Sequence, residues 1–245
     1  MTKQFWNLWG NMLDKYYEGY WNNYFVKTTV IYKAKPKFYA SIKTILYVDD
    51  KQGEEMINFF SILPGVDEAR ASNESSIIFA FNWVRKNIDY RGDLLTRNAS
   101  EYWQNPYETF KSRQGDCEDG SILIYWICRY LDVPAWKLRI VTTWVILNNE
   151  QSGHAFLAVA SRPALSIVYD WYVMDWSFYS NNVLRNFRKN PIRKIPDYTP
   201  GVTPVWWSFN EEYEWAQHDW RTPYNSKLAD RQQQFLLADE VPEPQ

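Results

Sequence analysis

The chain has only two cysteines, Cys117 and Cys128, and only two histidines, His154 and His218, in 245 residues. That scarcity removes several classes of protein. The cysteines are eleven positions apart, and on one helix that spacing puts them roughly 16 Å from each other, well beyond the ~7 Å Cα separation a disulfide can span. With no Cys-x-x-Cys pair and so few histidines, a Cys/His zinc site cannot be assembled either. Net charge is also small, −2 with a pI near 5.8, so the chain lacks the basic footprint of a nucleic-acid binder. Short basic clusters such as "RNFRKNPIRK" at 185–194 stand isolated. No apolar run approaches the ~20 residues of a membrane span, and the first residues show no apolar signal core or small-residue cleavage site. The expected protein is soluble and cytoplasmic, with a virion component as the alternative location.

What the chain has in abundance is aromatic side chains, 18% of residues with 14 Trp. Such a content suits an aromatic-lined groove or a protein-binding surface. Hydrophobic residues make up 46% of the sequence, enough for one sizeable core. Residues 4–25 place Phe5, Trp9, Met12, Tyr16 and Tyr20 at helical spacing beside a second row of Trp6, Leu13, Tyr17, Trp21 and Tyr24. This aromatic helix is expected to pack across the main domain or to dock on an assembly partner.

The periodicity sharpens further on. Residues 27–50 read as strands or an extended connection, and 63–72 as a loop. Asn73 is the expected cap of a helix whose buried face is Ile77, Ile78, Phe81, Val84 and Ile88. A second helix over 117–131 is too apolar to face solvent and reads as the core helix. Strands are expected at 137–147, 154–161 and 166–177, and their short connections imply an antiparallel sheet. The chain is Pro-rich from 185 to 204 and Trp-rich to 220, with a short helix expected at 226–237. These features divide it into an N-terminal segment (1–72), a core (73–185) and a C-terminal extension (186–245).

The stretch "GDCEDG" sets Cys117 at the first turn of the core helix. Unpaired backbone N–H groups and the helix dipole favour a thiolate there, and Gly115 is expected to keep the space above the sulfur open. A nucleophilic thiol needs a base. His154, opening a strand, is the natural one, oriented in turn by an acid on the following strand, Asp175 or Asp170. Cys128, inside "YWICRYL", reads as a packed core residue, and His218 as a structural one. Asp116, Glu118 and Asp119 suit the N-terminal turn as caps, yet as neighbours they oppose thiolate formation. A hard divalent cation held by the same three acids would remove that opposition, and oxygen donors of this kind suit calcium.

The stretches "EYWQNPYETFKSRQGDCED", "GHAFLAV" and "VMDW" resemble the transglutaminase-like superfamily, above all its bacterial transglutaminase-like cysteine proteinases. The resemblance covers about residues 74–178. It implies an α+β, papain-like fold with the nucleophile helix packed on an antiparallel sheet. It also implies a triad of Cys117 as nucleophile, His154 as base and then acid, and Asp175 as orienter. The oxyanion would be held by the Cys117 N–H together with Trp103 or Gln104, and calcium would be bound through Asp116 and Glu118. Position 120, often aromatic in the family, is Gly120 here. The function implied is a thiol-dependent hydrolase or acyltransferase acting on protein amide bonds, needing no cofactor for the chemistry itself. The alternatives are a structural or assembly protein, of a phage for instance, and a peptide-binding module without turnover.

Overall fold

The computed structural model describes residues 25–27, 30–35, 38–147, 150–161, 170–177 and 207–217. The expected helices at 4–25 and 226–237, the basic cluster at 185–194 and His218 lie outside these residues, apart from Phe25, which begins a strand.

Local capping explains where the helices begin. Helix α1 (Asp50–Ser61) starts from Asp49, whose side chain accepts the Gln52 N–H at 2.8 Å, and it buries Met56 and Phe60. A short α2 (Val66–Ala69) interrupts the stretch that the sequence suggests is a loop. Helix α3 (Asn73–Asn87) is capped by Ser72, one residue before the expected Asn73, through a 3.1 Å bond from Ser75 N–H. After a two-residue strand β4 (Asp89–Tyr90) come a short α4 (Asp93–Thr96) and α5 (Pro106–Ser112). The latter has reciprocal Asn105–Glu108 capping bonds and a proline in its first turn. Strand β5 (Gln114–Gly115) pairs in parallel with β4, and the core helix α6 (Cys117–Tyr130) follows directly.

Helix α6 is the centre of the molecule. Ile122, Leu123, Ile124, Ile127 and Cys128 are wholly buried, and each large aliphatic side chain among them contributes about 1.5–3 kcal/mol by leaving water. The helix packs against α3 on one side and on a sheet on the other. Among the described residues that sheet has six antiparallel strands, in the order β1-β10-β9-β6-β7-β8. Strand β6 (Leu138–Leu147) matches the expected strand; β7 (Glu150–Ser161) begins four residues before the expected start, so His154 lies inside it rather than opening it, and β8 (Asp170–Met174) falls within the expected 166–177, of which 166–169 lie outside the described residues. The hairpin β9 (Trp207–Phe209) and β10 (Glu214–Gln217) extends the sheet beyond β6, and β1 (Phe25–Lys27) adds to β10. Segments from both ends of the chain thus share the sheet on which the core helix rests. Strands β2 (Ile31–Lys35) and β3 (Phe38–Ser41) form a separate pair.

One buried carboxylate ties these parts together. Glu214, on β10, accepts hydrogen bonds from Val30 N–H (3.1 Å), Lys43 N–H (3.0 Å) and Ser41 Oγ (2.5 Å). Removing it orphans two backbone donors in a buried seam. Glu214→Ala is therefore expected to destabilise the fold by about 2–4 kcal/mol, a drop in melting temperature on the order of 5–10 °C. A drop under about 2 °C in a thermal melt would show that the seam does not rely on this carboxylate.

Candidate active site

Helix α6 opens on Cys117, with Asp116 in the cap position. Its first turn is braced from within. Asp119 accepts the Asp116 N–H at 3.3 Å, the Gln104 N–H at 2.7 Å and the Gln104 side-chain amide at 2.6 Å. The Gln104 amide also donates to the Gln114 carbonyl at 3.1 Å, and its oxygen accepts from Arg97 at 2.8 Å. Gln104 is fully buried, and its amide is committed to holding the helix start. Gly115 has a related reason. A Cβ there would lie 2.6 Å from Asp119 Cβ, so the glycine makes room for Asp119 rather than for access to the sulfur.

The sheet supplies the imidazole. His154 lies on β7 opposite Thr143 of β6, and β8 ends at Met174 opposite Leu157, so Asp175 leaves the sheet close to His154. Their side chains meet at 2.6 Å, Nε2 to Oδ2, and both are buried. The second oxygen of Asp175 accepts the Ser177 N–H at 3.1 Å and the Ser177 hydroxyl at 2.7 Å, which fixes the carboxylate plane. Asp170, the other acid on this strand, pairs with Ser161 at the far end of β8.

Cys117 and His154 line one cleft of about 420 Å³, together with Trp103, Trp207 and the acids Asp93, Asp116 and Glu118. Tyr90 and Leu94 stand exposed at its rim. The indole N–H of Trp103 is donated to Glu101. The sulfur is buried, and the thiol donates to Glu118 Oε2 at 3.0 Å. Burial pushes this thiol well above its ordinary value, the charges of Glu118 and Asp116 push it further, and a hydrogen bond from the Ala155 backbone opposes them in part. The helix-start effect on its own points the other way. It is outweighed here because desolvation penalises the thiolate more than one helix end stabilises it.

The carboxylates are strained electrostatically as well. Burial, then the charge of Asp116, pushes Glu118 and Asp119 well up; burial raises Asp116 too. Asp93 is pushed up to about 7 by burial and by Asp116. Two groups of ligand atoms each fall within 4.8 Å: Asp93 with Asp116 and Asp119, and Asp116 with Cys117 and Glu118. Asp93 Oδ1 and Asp116 Oδ1 are buried with no hydrogen-bond partner. Unpartnered buried oxygens on clustered carboxylates fit a hard divalent cation of the calcium type. Sequence spacing gave no hint of Asp93, which precedes Cys117 by 24 positions in a polar stretch.

The sign of the Asp93 effect is testable. A carboxyl raised from 3.8 to about 7 in the fold stabilises it while protonated, and that contribution is lost as pH climbs through this window. In chelator, the melting temperature is expected to fall between about pH 4 and pH 7, and Asp93→Asn should flatten the fall, because an amide carries no charge to desolvate. An equally steep fall in the variant would assign the pH dependence to other groups.

Residues 64–176 match the family model of the transglutaminase-like superfamily. Among solved structures, Legionella pneumophila LapG is similar at 18% identity, covering 73% of this chain and 96% of LapG with a TM-score of 0.47. Its calcium-bound form is similar at 19% identity, over 73% of this chain and 98% of that one, with a TM-score of 0.42. No curated protein sequence matches. Residues 64–176, somewhat under half of the chain, are thus similar to the core of the transglutaminase-like superfamily, and they hold the buried helix and the central strands of the antiparallel sheet it lies on.

Proposed function

We propose that the chain is a thiol-dependent hydrolase or acyltransferase acting on protein amide bonds. The observation that carries this reading is the buried 2.6 Å bond between His154 Nε2 and Asp175, made on the wall of the cleft that also holds Cys117. With Nε2 held by a carboxylate, Nδ1 is the nitrogen that accepts the thiol proton. The sulfur then attacks the amide carbonyl carbon, and the C=O electron pair moves onto oxygen. Collapse of that adduct breaks the C–N bond, the imidazolium gives its proton to the departing amine, and a thioester remains on Cys117. Water resolves it in proteolysis, and a lysine amine in cross-linking.

The oxyanion needs donors already in place. In this reading the backbone N–H of Cys117, at the start of α6, is the principal donor, because a first-turn N–H has no partner within its own helix. Trp103 and Gln104 already give their side-chain N–H groups to Glu101 and to Asp119 with Gln114, so they act as walls and braces.

Calcium belongs to the same proposal. Asp93, Asp116 and Glu118 would hold it, with Asp119 behind them. Bound there, the ion supplies positive charge that offsets the carboxylates opposing the thiolate and engages the carboxylate that the resting thiol now faces.

A thiol-reactive acyl probe tests the whole reading. Labelling is expected on wild type and Cys128→Ala, to vanish in Cys117→Ala, and to fall at least about a hundredfold in Asp175→Asn with little change in melting temperature. Labelling that survives Cys117→Ala contradicts an enzyme of this kind. A Cys117 that resists the probe with calcium present would favour the assembly or peptide-binding alternative.

A further inference from the structure

Cys117 and His154 stand on different elements, a helix and a strand, and their alignment depends on whatever joins those elements near the sulfur. Trp176 makes that junction. Its indole N–H donates to the Cys117 carbonyl oxygen at 3.1 Å, and its chain neighbour Asp175 holds His154. The indole is only 4% exposed and lies directly on Gly120. A Cβ added at Gly120 would fall 2.1 Å from Trp176 Cε2 and 2.3 Å from Nε1, far inside contact distance, so the ring rests on bare helix backbone. Tyr90 packs against the indole with ring centroids 5.6 Å apart. Arg85 donates to the Trp176 carbonyl at 3.2 Å, and Ser177 clamps Asp175 from the next position. The turn that carries the carboxylate is thereby tied to the first turn of the nucleophile helix.

We infer that Trp176 is a positioning residue for the reaction: seated on Gly120 and bonded to the Cys117 carbonyl, it sets the distance between the thiol and the Asp175-held imidazole. This inference rests on the thiol–imidazole reading of the site. Loss of the indole N–H leaves the aromatic packing partly in place but frees the first turn of the helix to shift, and reacting groups are sensitive to shifts below 1 Å. The Ser121 hydroxyl, which reaches the same carbonyl oxygen at 2.7 Å, belongs to the same helix and cannot replace a link to the sheet.

Two measurements test it, using the full chain with calcium present. The first is a melting-temperature cycle on the packing. Gly120→Ala should lower the melting temperature by about 5 °C or more in wild type. In a Trp176→Ala background the same change should be neutral or stabilising, since alanine is the better helix former once the ring is gone. An equal loss in both backgrounds overturns the seating of Trp176 on Gly120.

The second measurement is the pH profile of Cys117 alkylation, read by peptide mapping, in wild type, His154→Ala and Trp176→Phe. Trp176→Phe is expected to react about tenfold more slowly at neutral pH and to move toward the His154→Ala profile. A merely structural role would lower the melting temperature and leave the shape of the profile unchanged, and that result overturns the inference while leaving the triad standing. Identical wild-type and His154→Ala profiles would instead overturn the triad reading, and this inference with it.

Discussion

The structure turns on the burial of a helix start among carboxylates. Cys117 sits at the first turn of α6 with Asp116, Glu118 and Asp119 beside it and Asp93 facing them, nearly all removed from water. Such a cluster is costly unless its charges are partnered. Much of the surrounding architecture supplies partners. Gln104 gives both its backbone and side-chain N–H groups to Asp119, Tyr102 N–H binds Asp93, and the tight β5 entry with a glycine at 115 lets Asp119 reach back to the cap. One oxygen on Asp93 and one on Asp116 stay unpartnered, and both residues belong to the group whose ligand atoms lie within 4.8 Å of one another.

The same constraint explains the division of labour between helix and sheet. A helix end alone does not make this thiol reactive, because desolvation and neighbouring acids act more strongly on it than the dipole does. Activation in the proposed mechanism has to come from outside the helix, from the His154–Asp175 pair on the sheet and the Ala155 N–H that reaches the sulfur. Helix and sheet must then be held in register, which gives the Trp176 contact with the Cys117 carbonyl its significance.

Much of the fold was legible because α3 and α6 repeat apolar residues at helical spacing, β6 is long and rich in β-branched residues, and β7 carries the apolar run from Ala155 to Ala160. Other elements were hidden for physical reasons. Strand β9 has only three residues, Trp207, Ser208 and Phe209, too few for a periodic signal, and a tryptophan-rich stretch does not announce that it adds to a sheet. Helix α5 is short, and its best signal is the Asn105–Glu108 capping pair rather than hydrophobic periodicity. In the site, Cys117, His154 and Asp175 could be put forward from their order and local motifs. Asp93 and Trp176 could not, because the first joins the cluster through a fold in the chain and the second through contact with a glycine. Gly120 read as a departure from the family pattern; in three dimensions the indole of Trp176 fills the space above it.

The central claim is that Cys117 is activated by the Asp175-held imidazole rather than by its helix position. The most direct measurement is the thiolate absorbance of Cys117 near 240 nm across pH, with calcium bound, in Cys128→Ala protein with and without His154→Ala. The account predicts a thiolate step in the acidic-to-neutral range that disappears when His154 is replaced, leaving only an alkaline titration. A single alkaline step shared by both proteins would contradict it.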